Sequence, residues 1–150
     1  MAGWTNRGKY KVLGWALRGE TAEATFYLAL TSDAPTADTN TVSDLTEITA
    51  GNGYTSGGQA VALDSTDFDT WTEVDASDRA LLQMKDFSWT AAGGNIPSAD
   101  TGPRYVILTD DHATVASREV YHYWDIGATV TVVSGTSLIL QDLEIRINES

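Results

Sequence analysis

From residue 24 onward the apolar residues of this chain recur with a period of two, not 3.6. Ala24, Phe26, Leu28 and Leu30 alternate with Thr25, Tyr27, Ala29 and Thr31, and Leu143, Ile145 and Ile147 alternate with Glu144, Arg146 and Asn148. Successive strand residues point to opposite faces, so this pattern lays an apolar face on a sheet and cannot make a helical stripe. Further strands are predicted at 60–63, 80–89, 104–108, 120–124, 129–133 and 138–140. The parity of 80–89 switches at Lys85-Asp86, which reads as a bulge. Ser134-Gly135 reads as the turn of a hairpin between the runs at 129–133 and 138–140. Gly, Asn, Asp and Pro separate the runs, most densely in Gly51-Asn52-Gly53-Tyr54-Thr55-Ser56-Gly57-Gly58. Leu45 and Ile48 suggest a single helical turn. Short punctuated strands predict an all-β, antiparallel β-sandwich or small barrel.

The exception is the N-terminus. Thr5 or Asn6 is a suitable N-cap for a helix over residues 7–17, with Tyr10, Leu13, Trp15, Ala16 and Leu17 as an imperfect apolar stripe and Gly19 as its stop. The 150 residues suit one domain. We therefore expect a single β-rich domain over 1–150, divided into a helical segment 1–19 and a body 20–150.

Charge divides the chain at the same place. Of nine Lys and Arg against twenty-one Asp and Glu, four bases (Arg7, Lys9, Lys11, Arg18) and no acid fall within residues 1–19. That segment carries +4 and the remainder −16, for a net −12. An acidic body repels nucleic acid phosphates, so no nucleic acid is expected as a partner. No apolar run reaches the roughly 20 residues of a membrane helix, and Met1 to Asn6 has no signal-peptide core. No membrane partner is expected either. The acids from Asp64 to Asp78 alternate with Phe68, Trp71 and Val74, as in a solvated loop or an edge strand.

No motif assembles a catalytic centre. The chain has no cysteine, which excludes disulfides, thiolate metal sites and a cysteine nucleophile. Gly3, Gly8 and Lys9 match most of a phosphate-binding loop, but Tyr10 stands where a Ser or Thr hydroxyl must ligate magnesium and no strand is predicted before Gly3. A Gly-x-Ser-x-Gly elbow is absent. His122, in Val120-Tyr121-His122-Tyr123-Trp124, reads as a strand residue among aromatics. Asp110-Asp111-His112 reads as a solvated turn, since hard cations need ligands from several positions. Nothing selects a pair of carboxylates for glycoside hydrolysis. Trp15, Trp89 and Trp124 are expected in the core. The sequon Asn148-Glu149-Ser150 has no secretion signal to give it meaning. No enzyme activity, cofactor or metal is expected.

Several short segments, taken together, resemble small structural proteins of tailed bacteriophages. They are Thr5-Asn6-Arg7-Gly8-Lys9-Tyr10 with Leu13, Leu30-Thr31-Ser32-Asp33-Ala34-Pro35, the glycine-rich 51–58 and Phe87-Ser88-Trp89-Thr90-Ala91. Tyr105-Val106-Ile107-Leu108, Asp125-Ile126-Gly127 and Ser134-Gly135-Thr136-Ser137-Leu138 complete the set. The acidic region 64–78 departs from that pattern. The resemblance implies a non-enzymatic virion protein, first a capsid decoration (cement) protein on the major capsid protein lattice, as a homotrimer. A tail, tail-fibre or baseplate component is the alternative within that class, and a carbohydrate-binding module the alternative outside it. Strand faces apolar on both sides, at 24–30 and 120–124, add a physical argument for self-association.

Attachment is expected through Trp4, Arg7, Lys9, Tyr10, Lys11 and Arg18, because complementary charge orients encounters while aromatic and Arg side chains anchor interfaces. The alternative is that the helix packs on its own sandwich and the four charges only solvate it.

Overall fold

A computed structural model describes residues 2–148. Glu149 and Ser150 of the sequon lie outside the described residues. Strands β1 (Ala2–Trp4), β2 (Phe26–Thr31), β3 (Gln59–Val61), β7 (Tyr105–Thr109) and β8 (Val120–Asp125) form a five-stranded sheet in the order β1-β8-β7-β2-β3. Strands β4 (Thr70–Val74), β5 (Arg79–Gln83) and β10 (Glu144–Asn148) form a second sheet, β10-β5-β4, and β6 (Phe87–Thr90) pairs with β9 (Ser137–Leu140). Every named pairing is antiparallel. Helix α1 (Asn6–Leu17) follows β1 directly. The molecule is an all-β sandwich with one short N-terminal helix.

The five-stranded sheet is apolar on both faces, and this chain covers both. Phe26, Leu28, Leu30, Val106, Leu108 and Trp124 enter the main core, where they meet Met84, Phe87, Trp89, Ile96, Leu140 and Ile145 from the smaller sheets and loops. Ala29, Ile107, Val120 and Tyr123 face the other way, beneath Val42, Leu45 and Val115. Two single 3-10 turns, 42–44 and 115–117, carry this second cover. The helical turn suggested by Leu45 and Ile48 thus lies three residues earlier. Because loops close the second face, apolar strand faces supply no argument for self-association.

A register shift between Leu108 and Thr109 lets Leu108 pair with His122 and Thr109 with Val120. Tyr121 is the extra residue. A bulge re-aims a side chain, and here Tyr121 turns into the main core while Val120 enters the smaller one.

Two sequence expectations fail on long-range pairing. Residues 80–89 are not one bulged strand: at 84–86 the chain leaves the β4–β5–β10 sheet for β6. There Met84 N donates to Leu143 O at 2.9 Å and Lys85 N to Asp67 O at 3.1 Å. Residues 129–133 contain no strand, only the bridge between Val132 and Ile96, and β9 pairs with β6 instead. Strand β1 was not foreseen.

The glycine-rich segment is pinned at its end. Gly58 has φ +75°, and a Cβ there would lie 1.8 Å from Leu28 O, so only glycine lets the chain enter β3 so close to β2. Glu47 holds the same segment by accepting from Tyr54 Oη at 2.7 Å, Ser56 Oγ at 2.8 Å and Gly57 N.

Candidate partner interface

Thr5 sets the start of α1. It is buried, its Oγ1 accepts from Gly8 N at 2.9 Å as an N-cap, and the same hydroxyl donates to Val120 O at 2.5 Å. Its backbone N donates to Tyr121 O at 3.0 Å. One residue therefore caps the helix and ties it to β8. Gly8, one turn on, permits the contact: a Cβ at that position would lie 2.1 Å from Tyr121 O and 2.7 Å from Tyr121 Cα.

Gly8, Lys11, Val12 and Trp15 follow i, i+3, i+4, i+7 and form the inward face. Trp15 is half-buried against Phe26 and Tyr121, with ring centroids 5.9 and 5.6 Å away. Most of the expected apolar stripe lies on the opposite side. Tyr10, Leu13 and Leu17 are 59%, 57% and 78% exposed, and with Gly14, Arg18 and Glu20 they line a shallow hollow of about 350 Å³. Ala16 is exposed as well.

The six residues expected at an interface separate into two groups. Arg7 bonds to Glu119, and Lys11 Nζ lies 3.2 Å from Glu119 and 3.8 Å from Glu23. Burial pushes the Glu119 carboxyl up, yet donations from Arg7 and Lys11 outweigh it and hold the group below its ordinary value. Trp4 Nε1 donates to Arg146 O at 2.8 Å, and its ring packs edge-on against His122 at 5.2 Å. Arg7, Lys11 and Trp4 therefore engage the protein's own body. Lys9, Tyr10 and Arg18 are exposed, and neither Lys9 nor Arg18 forms an ion pair with the described residues. The sequence pattern put Leu13 and Leu17 on the helix's imperfect apolar stripe; the spacing of Gly8 with Lys11, Val12 and Trp15 was the available signal for the other orientation.

Residues weighed for chemistry occupy structural positions. Gly3 lies in β1 and Gly8 inside α1, joined through Thr5, so a strand does precede the helix but no loop exists to cradle a phosphate. His122 is buried against Trp4 and Trp124, and burial lowers its pKa to about 3. Asp110 accepts from His112 N and Glu119 N, both at 3.2 Å, and Thr114 N donates to His112 Nδ1 at 3.1 Å: a self-bonded turn. Burial nevertheless raises the Asp110 pKa. Among the described residues no group of three or more His, Asp or Glu side chains could hold a metal ion. Of the tryptophans, Trp89 and Trp124 are buried, Trp4 and Trp15 half-buried, and Trp71 exposed. Among the described residues no helix is long and apolar enough to cross a membrane.

No protein-family model matches the chain, and no curated protein or solved structure is significantly similar to it.

Proposed function

We propose that this protein is a non-enzymatic structural component of a tailed-bacteriophage virion, a capsid decoration protein that docks on the major capsid protein lattice through the outer face of α1. The observation that carries the docking surface is the stripe Tyr10, Leu13 and Leu17, exposed beside Lys9 and Arg18, which form no ion pair among the described residues, on a chain of net charge −12. Buried apolar and aromatic side chains supply the core of most interfaces, while rim charges set orientation and encounter rate. The Arg7 guanidinium stacks 5.4 Å from the Tyr10 ring and fixes that ring against the helix, which preorganises it for contact. The virion assignment draws its support from the phage-like segments in the sequence, and the homotrimer belongs to the same reading.

The test is rebinding to particles stripped of this protein. Leu13→Glu with Leu17→Glu should abolish rebinding, and Lys9→Glu with Arg18→Glu should weaken it while removing most of its salt dependence. All four side chains are exposed, so circular dichroism should be unchanged. Both variants rebinding like wild type would refute docking through α1. Hundreds of copies per particle fit a decoration protein and a few fit a tail component. Saturable glycan-array binding without particle binding would favour a carbohydrate-binding module. Sedimentation equilibrium tests the trimer.

A further inference from the structure

A cleft of about 730 Å³ lies between the β4–β5–β10 sheet and the side of the five-stranded sheet that carries α1. Along its floor, Trp15, Phe26 and Tyr121 contact one another with ring centroids 5.6 to 5.9 Å apart. Trp4, Phe68 and Trp71 add three more aromatic rings to the lining. Trp71 comes from β4, where it pairs across the sheet with Leu82, which pairs in turn with Ile145. It is 86% exposed, an unusual position for the largest apolar side chain.

The charged groups in the lining are all of one sign. Asp64 and Asp69 line the cleft, and among the described residues no Lys or Arg does. Asp67, between them in the chain, is buried, ion-paired to Lys85, and accepts from Ala62 N at 2.7 Å, so it anchors this loop. Asp64 accepts from Thr66 N at 2.7 Å. Both lining carboxylates are exposed.

A volume of this size suits a small organic ligand, since such sites span about 300–1,000 Å³ with apolar walls and few polar groups. Aromatic faces are electron-rich and attract cations, quaternary ammonium ions above all. Two carboxylates add attraction for the same charge and repel anions. We propose that this cleft is a binding site for a small hydrophobic ammonium ion, with its apolar body on the aromatic floor and its charge near Asp64, Asp69 and Trp71. This site is separate from the outer face of α1 and stands independently of virion docking.

The test titrates purified protein by calorimetry with octyltrimethylammonium, 1-octanol and octyl sulfate. The cation should bind saturably, the alcohol about tenfold or more weakly, and the sulfate not at all. Asp64→Asn with Asp69→Asn should weaken the cation about tenfold and leave the alcohol unchanged. Trp71→Ala should weaken the cation by about threefold to thirtyfold. Exposure of these three side chains keeps the fold intact, which circular dichroism checks. Equal affinity for cation and alcohol, saturable sulfate binding, or full cation affinity in either variant overturns the proposal. So does failure of the cation to bind while the protein self-associates and the double variant abolishes that association. That last result would place a second copy, through its Lys9 and Arg18 face, in the cleft.

Discussion

Replacing Gly8 with alanine separates helix propensity from tertiary packing, because the two predict opposite signs. Within an isolated helix, Gly→Ala is favourable by about 1 kcal/mol. In this protein the new Cβ would lie 2.1 Å from Tyr121 O and 2.7 Å from Tyr121 C. Ordinary contact begins near 3.4 Å, so α1 must withdraw from β8 by more than 1 Å. The opposing atoms are backbone in a strand paired on both edges, by β1 and β7, and cannot yield as a side-chain end would. Withdrawal strains the Thr5 bond to Val120 O and the ion pairs of Arg7 and Lys11 with Glu119. Overpacking of this kind costs about 1–3 kcal/mol. Set against the propensity gain of about 1 kcal/mol, it leaves a net loss of up to about 2 kcal/mol, or up to about 8 °C in Tm for a chain of this length. Gly14→Ala is the control. Its Cβ would meet Glu20 Oε2 at 2.6 Å, the mobile end of a side chain that swings away, so this variant should be neutral or more stable by up to about 1 kcal/mol. Urea unfolding of both variants measures the difference. A Gly8→Ala protein as stable as Gly14→Ala would refute close approach as the means by which α1 docks.

His122, with its pKa lowered to about 3 by burial, accepts a proton near pH 6.5 only when unfolded. Below that pH the unfolded state binds the extra proton, so His122 should remove about 1.4 kcal/mol of stability per pH unit down to about pH 3. Urea midpoints at pH 7, 6 and 5 should fall in the wild type and fall less in His122→Phe; equal slopes would exclude this source. Glu119, held low by Arg7 and Lys11, contributes a loss in the same direction at lower pH, whereas Asp110, raised by burial, opposes it. Thr5→Val removes both the cap to Gly8 N and the bond to Val120 O and should cost about 2 kcal/mol in urea unfolding, with a loss below 0.5 contradicting the capping role. Glu47→Ala leaves the buried Tyr54 hydroxyl and Gly57 N without their shared acceptor, and should speed hydrogen exchange at Ser56, Gly57 and Gly58.

The strands β2 and β10 were legible because alternation is a local property, carried by neighbours such as Leu28 and Leu30 or Ile145 and Ile147, and β7 and β8 because short apolar runs bounded by turn residues are local too. The start of α1 was legible for the same reason: Thr5 caps a helix through an amide three residues away. The pairing of β6 with β9 was not legible, since Trp89 and Leu138 are partners nearly fifty residues apart and no local pattern names a strand's partner. β1 was missed because three residues are too few to show a period.

At the candidate interface the boundary is sharper. Composition alone placed four cations in the first nineteen residues and all the acids after them. Only the tertiary structure decided that Arg7 and Lys11 turn inward to Glu119, leaving Lys9 and Arg18 to solvent. It also turned Tyr10, Leu13 and Leu17 outward, against the apolar stripe read along the helix. Hydrophobic periodicity ranks helix faces by apolar area, but this helix docks where Gly8 brings two backbones together. Close approach and a buried cap against β8, with ion pairs to Glu119 just before it, selected that face, and each depends on what the fold presents opposite the helix.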